Sequence, residues 1–284
     1  FSSYLPKTDT VIGNCSQQAF PDIDMSFCIC YSYYIFITEG NSCKMSFLGK
    51  VKKKLRNGSW YPFYNTFYEK NNLDPHMILL ESRSGKALES NILSLLKELC
   101  QEPYCGFTLV LSVHRDSENE IKEKLQKNSI QGVHFVRTGS VAYYRALSRA
   151  GYLVNDTSFP GRFIKKEGQI YLNTWHGTPL KKMGRDNRPE MVTMGNVQRN
   201  LLDSDYLVFP NQFMEEKMSG AYMLDSLYRG TILREGYPRN DIFRQPANLH
   251  LKEQVGLQDK KLLAYLPTFR GNFNALDDQG YMQT

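Results

Sequence analysis

The sequence has 284 residues, 41% of them hydrophobic and 23% charged, an ordinary balance for a soluble globular protein with room for one large domain or two smaller ones. No apolar run approaches the roughly 18 residues of a membrane-spanning helix. The six cysteines (Cys15, Cys28, Cys30, Cys43, Cys100 and Cys105) form no CxxC pair and no zinc spacing with histidine, which argues against a metal. A net charge of +6 fits an anionic partner, whether phosphorylated substrate, nucleic acid or acidic membrane, without choosing among them.

Along the chain, residues 1–44 are rich in Ser, Cys and Tyr and lack helical periodicity. The chain opens on Phe1, and Met45 is a candidate start, so 1–44 is expected to be an appended or poorly ordered segment. FCICYSYYIFI (27–37) is short and aromatic and reads as a buried strand. With no signal-peptide pattern, reduced thiols in the cytosol are expected. Residues 45–72 crowd Lys50, Lys52, Lys53, Lys54 and Arg56 beside an apolar stripe of Phe47, Leu48, Val51 and Leu55, and Trp60, Tyr61, Phe63, Tyr64, Phe67 and Tyr68 follow. A basic amphipathic helix with aromatics suits the headgroup layer of an anionic membrane; the plainer reading is a solvated helix packed on the domain.

From residue 76 strand and helix signals alternate. HMILLE (76–81), FTLVLSV (107–113), GVHFVRT (132–138), YLVND (152–156), QIYLNTW (169–175), DYLVFP (205–210), TILREG (231–236) and KKLLAYLPTF (260–269) read as strands. ESNILSLLKELC (89–100), SENEIKEKLQKN (117–128), SVAYYRALSRAG (140–151, stopped by Gly151), a stretch near 191–203 and NQFMEEKMSGAY (211–222, capped by Asn211) read as helices. This order predicts βαβ units and a parallel sheet.

Ligands of open α/β sheets sit beyond the carboxyl ends of the strands. At one such end, LNTWHGTPLKKMG (172–184) places His176 beside Gly177, which permits a tight turn. Thr178 as N-cap and Pro179 at the first helical position predict a short helix over Leu180–Gly184, whose amides would form an anion site. Lys181, Lys182 and Arg185 add charge for a phosphate. A histidine there suits general-base work, with a structural loop cap as the plain alternative. EGYPRNDIF (235–243) brings Arg239 and Asn240 to a second strand end, with Asp241 read as a helix cap, and YLPTFRG (265–271) brings Thr268 and Arg270 to a third. ESRSGK (81–86) marks another strand end but lacks P-loop spacing. His76, His114, His134 and His250 read as ordinary fold residues.

In this order, LNTWHGTPLKKMG, EGYPRNDIF and YLPTFRG resemble the CDP-glycerol glycerophosphotransferases, the teichoic acid primases and polymerases. ILLESRSGK (78–86) and VRTGSVAYYRALSRAGYLVND (136–156) resemble two further segments of that family. The resemblance implies a GT-B-like α/β enzyme of two Rossmann-like domains, here 73–255 on the acceptor side and the start of a donor domain at 256–284. It implies transfer of glycerol phosphate, or a related polyol phosphate, from a CDP-linked donor to a hydroxyl of a lipid-linked teichoic acid or capsule polymer, with release of CMP and no further cofactor. By that likeness His176 is the base, Lys181 and Arg239 offset phosphate charge, and Thr268 and Arg270 edge the donor site.

The family's second functional histidine and Ser-rich donor segment lie beyond YLPTFRG, and this chain ends 13 residues after Gly271. Most of the CDP-binding half is therefore expected to be missing and the fragment inactive alone. A lipid-linked acceptor places such an enzyme at the cytoplasmic face of the membrane, and strengthens the reading of 45–72 as a membrane contact. The alternatives are a nucleotide-sugar glycosyltransferase of the same architecture and a non-catalytic basic module for lipid or other anions. RNP-type motifs and basic–aromatic repeats are absent, which disfavours nucleic acid.

Overall fold

The computed structural model describes residues 64–161 and 163–244, together with 251–254, 256–258, 260, 261, 263 and 265. The segments 1–44 and 45–63, and residues Thr268, Arg270 and His250, lie outside the described residues. A first compact unit closes at Asp241 and a second begins at Ile242, earlier than the expected boundary after 255.

The first unit is a parallel α/β sheet. In chain order it comprises α1 (Tyr64–Lys70), β1 (Asp74–Glu81), α2 (Ser90–Leu99), β2 (Thr108–Val113), α3 (Glu118–Lys127), β3 (Val133–Arg137), α4 (Val141–Arg149), β4 (Ala150–Asn155) and β5 (Ile170–Asn173). There follow α5 (Arg188–Met191), α6 (Gly195–Asp203), β6 (Tyr206–Val208), α7 (Gln212–Ala221) and β7 (Thr231–Leu233). The seven strands are ordered β3-β2-β1-β4-β5-β6-β7, all paired in parallel. The chain builds outward from β1 to β3, then returns to lay β4 on the other side of β1. The point where the direction reverses, between β1 and β4, is where such sheets open a crevice for ligands.

Strand alternation divides the core between two faces. Ile78, Leu80, Leu109 and Leu111 face Ile92, Leu95, Leu96 and Leu99 of α2 and Ile121 and Leu125 of α3. Met77, Leu79, Val110 and Leu153 face Tyr143, Tyr144 and Leu147 of α4 and Tyr64 of α1. The α2 residues recur at the spacing of one helical face. Fully burying each such side chain contributes about 2 kcal/mol. Ser140 caps α4 by accepting from the Tyr143 amide at 3.2 Å, and Asn211 caps α7 through the Met214 amide at 2.9 Å, as its sequence position predicts.

Three expectations change. Tyr64 is buried, with Phe67 and Tyr68 packed against its cluster, so these aromatics serve the core rather than a headgroup layer. Gly151 does not stop a helix; α4 ends at Arg149 and Gly151 lies inside β4. A Cβ there would come within 2.8 Å of the Asp74 carbonyl, so glycine is needed for the close approach of β4 to β1. Residues 260, 261, 263 and 265 are not in a strand; the only regular element described in the second unit beyond Arg244 is a short helix, α8 (Leu251–Gln254).

Candidate active site

The crevice at the reversal point is a cavity of about 280 Å³ lined by Arg83, Glu89, Ser90, Asp156, His176 and Arg239. They come from four connections at the carboxyl ends of the strands: Arg83, Glu89 and Ser90 between β1 and the start of α2, Asp156 after β4, His176 after β5 and Arg239 after β7.

His176 sits three residues past β5 on a tightly held turn. Trp175 adopts φ +50°, a left-handed conformation that bulky side chains avoid. Its amide donates to Asn173 Oδ1 at 2.9 Å, its carbonyl accepts from Thr174 Oγ1 at 2.9 Å and from Asn91 Nδ2 at 3.2 Å, and its indole stacks on the His176 ring at 4.5 Å. Asn173 is anchored in turn, its Nδ2 donating to Asn155 Oδ1 at 3.0 Å and the Thr157 carbonyl at 2.9 Å.

His176 Nδ1 lies 2.8 Å from the carbonyl oxygen of Asp156. A carbonyl only accepts, so Nδ1 carries the hydrogen and Nε2 of the neutral ring keeps its lone pair. Burial lowers the His176 pKa below its usual 6.5. The charges of Arg83 and Arg239 push the same way, against the carbonyl bond and Glu89. The ring is therefore neutral at pH 7 and able to accept a proton.

Arg239 forms the opposite kind of group, a fixed cation. Its Nη1 donates to Ser90 Oγ and to the His176 carbonyl, both at 2.9 Å, and its guanidinium lies 4.8 Å from the centre of the Tyr237 ring. Among the described residues no carboxylate lies within ion-pair distance of it. The Asp156 carboxylate is fully buried, accepting from Ser82 Oγ at 3.0 Å and from the Arg83 amide at 2.8 Å. Burial nonetheless pushes its pKa up to about 6.

Sequence reasoning had singled out His176 and Arg239, and the fold brings them together. Gly177 also belongs here: a Cβ on it would lie 3.7 Å from Arg239 Nη2. Thr178, Lys181, Lys182, Arg185 and Asn240 are exposed and do not line the cavity. The helix expected over Leu180–Gly184 is absent; the chain stays irregular until a 3-10 turn at Gly184–Asp186. Gly184 holds φ +54°, and a Cβ there would come within 2.2 Å of the Ala221 carbonyl, so tertiary contact sets this segment against its Thr-Pro helix signal. The helix-amide anion site expected at Thr178 is thus not formed, and the positive groups that line the cavity are Arg83 and Arg239. Likewise Asp241 caps no helix but lies inside a 3-10 stretch, Pro238–Arg244. The sequence reading missed Arg83, Glu89, Ser90 and Asp156. Their signal was positional: ESRSG and YLVND both leave strands that become neighbours at the reversal.

A family model described as CDP-Glycerol:Poly(glycerophosphate) glycerophosphotransferase matches residues 63–281. The chain belongs to that family. Among curated relatives, the teichoic acid poly(glycerol phosphate) polymerase of Staphylococcus epidermidis is 31% identical over 73% of this chain and 29% of its own length. The Bacillus spizizenii polymerase is 31% identical over 69% and 50%. The teichoic acid glycerol-phosphate transferase of Staphylococcus aureus is 28% identical over 78% and 57%. A solved structure of the wall teichoic acid polymerase TagF, a histidine-to-asparagine variant soaked with CDPG, superposes with a TM-score of 0.57 at 26% identity over 77% of this chain and 52% of that one. The chain therefore spans between 29% and 57% of the length of these relatives. The likeness bears out the expected Rossmann-like α/β architecture of GT-B type. No helix among its described residues is long and apolar enough to cross a membrane, and no group of His, Cys, Asp and Glu among them is placed to hold a metal.

Proposed function

We propose that this chain supplies the acceptor-side half of a site that transfers glycerol phosphate, or a related polyol phosphate, from a CDP-linked donor to a hydroxyl of a teichoic acid or similar polymer. The acceptor hydroxyl oxygen attacks the phosphorus that bears the glycerol. The bond from that phosphorus to the CMP oxygen breaks and CMP leaves. His176 Nε2 takes the hydroxyl proton, and Arg239 offsets negative charge on the phosphoryl oxygens. The observation that carries this reading is the bond from His176 Nδ1 to the Asp156 carbonyl, which leaves an unprotonated Nε2 in a cavity with an unpaired arginine. A lipid-linked acceptor and a peripheral position at the cytoplasmic face of the membrane complete the proposal, supported by the basic pattern of 45–63 and by the teichoic acid names of the relatives.

The test is CMP release from CDP-glycerol with a lipid-linked acceptor, using the full-length protein that carries this chain. His176→Ala should abolish turnover, by about a thousand-fold or more as for loss of a general base, while the circular dichroism stays native. The wild-type rate should fall on acidification with a midpoint below pH 6.5, because burial lowers the histidine pKa from that value. Full activity in the variant would make the turn at Trp175–Gly177 purely structural.

A further inference from the structure

Arg83 and Glu89 are the two residues of the cavity whose charges meet each other. Arg83 Nε lies 3.0 Å from Glu89 Oε1 in a single contact, and the side chains remain 38% and 44% exposed. Such a half-solvated, one-point pair is weak and exchangeable. The backbone beneath it is not. The Arg83 amide is fixed to Asp156 Oδ1 at 2.8 Å, and Arg83, Ser84 and Ser90 all hold left-handed φ angles of 50°, 55° and 56°. Strain retained at both ends of a short segment beside a cavity marks a conformation that the surrounding fold enforces. The result is a bonded, strained backbone carrying two half-exposed charged tips.

The charge balance of the cavity lining gives those tips a role. Arg83 and Arg239 contribute two positive charges, Glu89 and Asp156 two negative ones, and His176 is neutral. The Asp156 carboxylate is committed to Ser82 and the Arg83 amide. A phosphate entering beside Arg239 would meet Glu89 as a like charge, and only Glu89 is free to leave.

We propose that Glu89 holds the anion position next to Arg83 while the site is empty, and that a substrate phosphate displaces it, so that Arg83 exchanges a carboxylate for a phosphoryl group. This rests on the reading that the cavity takes a phosphate-bearing ligand. Arg83 becomes a second phosphate-binding arginine, and Glu89 a competitor built into the site. The forked guanidinium suits both partners, because carboxylate and phosphate oxygens present the same spacing to it.

The experiment is calorimetric titration of the whole chain with sn-glycerol 3-phosphate, comparing wild type, Glu89→Gln, Arg83→Gln and the double variant. Both positions are half-exposed, and the backbone bond of Arg83 survives its substitution. Removing the competitor should tighten binding by about ten-fold and removing Arg83 should weaken it by about ten-fold, the scale of one charge-assisted contact. In the Arg83→Gln background, Glu89→Gln should change affinity by less than about two-fold, because its effect runs through Arg83. Weaker binding by Glu89→Gln, or an equal gain in both backgrounds, overturns the exchange. Wild-type binding that Glu89→Gln leaves unchanged also overturns it, while the phosphate reading stands. No binding by any of the four proteins overturns both.

Discussion

The loop after β5 carries the most distinctive stretch of this sequence, and its two halves are held in opposite ways. From Asn173 to Gly177 the chain is held firmly: the side chains of Asn173, Thr174 and Asn91 all bond to the Trp175 backbone, and the His176 ring donates from Nδ1 to the Asp156 main-chain carbonyl. From Thr178 to Arg185 the residues are mostly exposed, Leu180 to 83%, and the segment settles on the fold at Gly184 against Ala221. One half therefore has the precision that proton transfer requires and the other does not. A contiguous motif need not be one functional unit. Here the histidine lines the cavity on a fixed turn, and the lysines that follow it are exposed outside that cavity.

The largest expected effect comes from cutting the anchor of the fixed half. Asn173→Ala removes bonds to Asn155 Oδ1, the Thr157 carbonyl and the Trp175 amide in a fully buried place. Leaving those groups unmet should cost about 3–4 kcal/mol of stability, read as a lower urea midpoint. The strained Trp175 turn should relax with it, so the transfer proposed above should also be lost at temperatures where the variant is still folded. A variant with normal turnover would show that the turn holds itself without Asn173.

A smaller, pH-dependent effect is expected one row away. Ser112, Glu81, Asn155 and Asn173 lie side by side across β2, β1, β4 and β5. Glu81 is buried there; the Ser112 and Tyr143 hydroxyls lie nearest, but Glu81 Oε2 and the Tyr143 hydroxyl are without a well-formed hydrogen bond. Burial is the main reason its pKa rises from 4.5 to about 7. With the folded pKa above the unfolded one, the native state binds the extra proton between those values. Stability from this group is thus whole below pH 4.5 and lost as pH rises through 7. Glu81→Gln should be near neutral at pH 4 and stabilise by up to about 3 kcal/mol at pH 8, measured as the difference in urea midpoints. Equal effects at both pH values would mean that the carboxylate is stabilised by something the row does not supply.

Much of this organisation was legible before the fold. The strands read between residues 76 and 236 and the cap at Asn211 mark their elements by periodicity and position; the fold starts α7 at Gln212. The strand ends that carry His176 and Arg239 were legible for the same reason, since a polar cluster follows an apolar run in each. Arg83, Glu89 and Asp156 were not. ESRSGK was legible as a strand end, but no local signal singles out Arg83 within it or Asp156 after β4, and the two meet only because β4 returns to the far side of β1. The helix read from Thr178-Pro179 failed for the converse reason. Its local signal was sound, but the contact of Gly184 with Ala221 holds the chain in a conformation that a helix cannot supply.

The smallest expected effect tests the comparison from its exposed side. Lys181 and Lys182 follow His176 closely in sequence, which is why charge counting assigns them to a phosphate. In the fold both are exposed and neither lines the cavity, while Arg239, sixty-three residues away from His176, does. Long-range attraction from exposed lysines is screened over about 8 Å at physiological salt. The Lys181→Ala, Lys182→Ala double variant should therefore change stability by less than about 0.5 kcal/mol and weaken sn-glycerol 3-phosphate binding by less than about two-fold at 0.15 M salt, with a larger loss appearing only at low salt. Arg239→Ala, measured beside it, should weaken binding by ten-fold or more, roughly the worth of a charged hydrogen bond in a sheltered cavity. If the lysine variant lost as much as the arginine variant at physiological salt, the exposed half would have to fold over the cavity when ligand is present. The two halves of the loop would then be one site in the bound state and two only in the empty one.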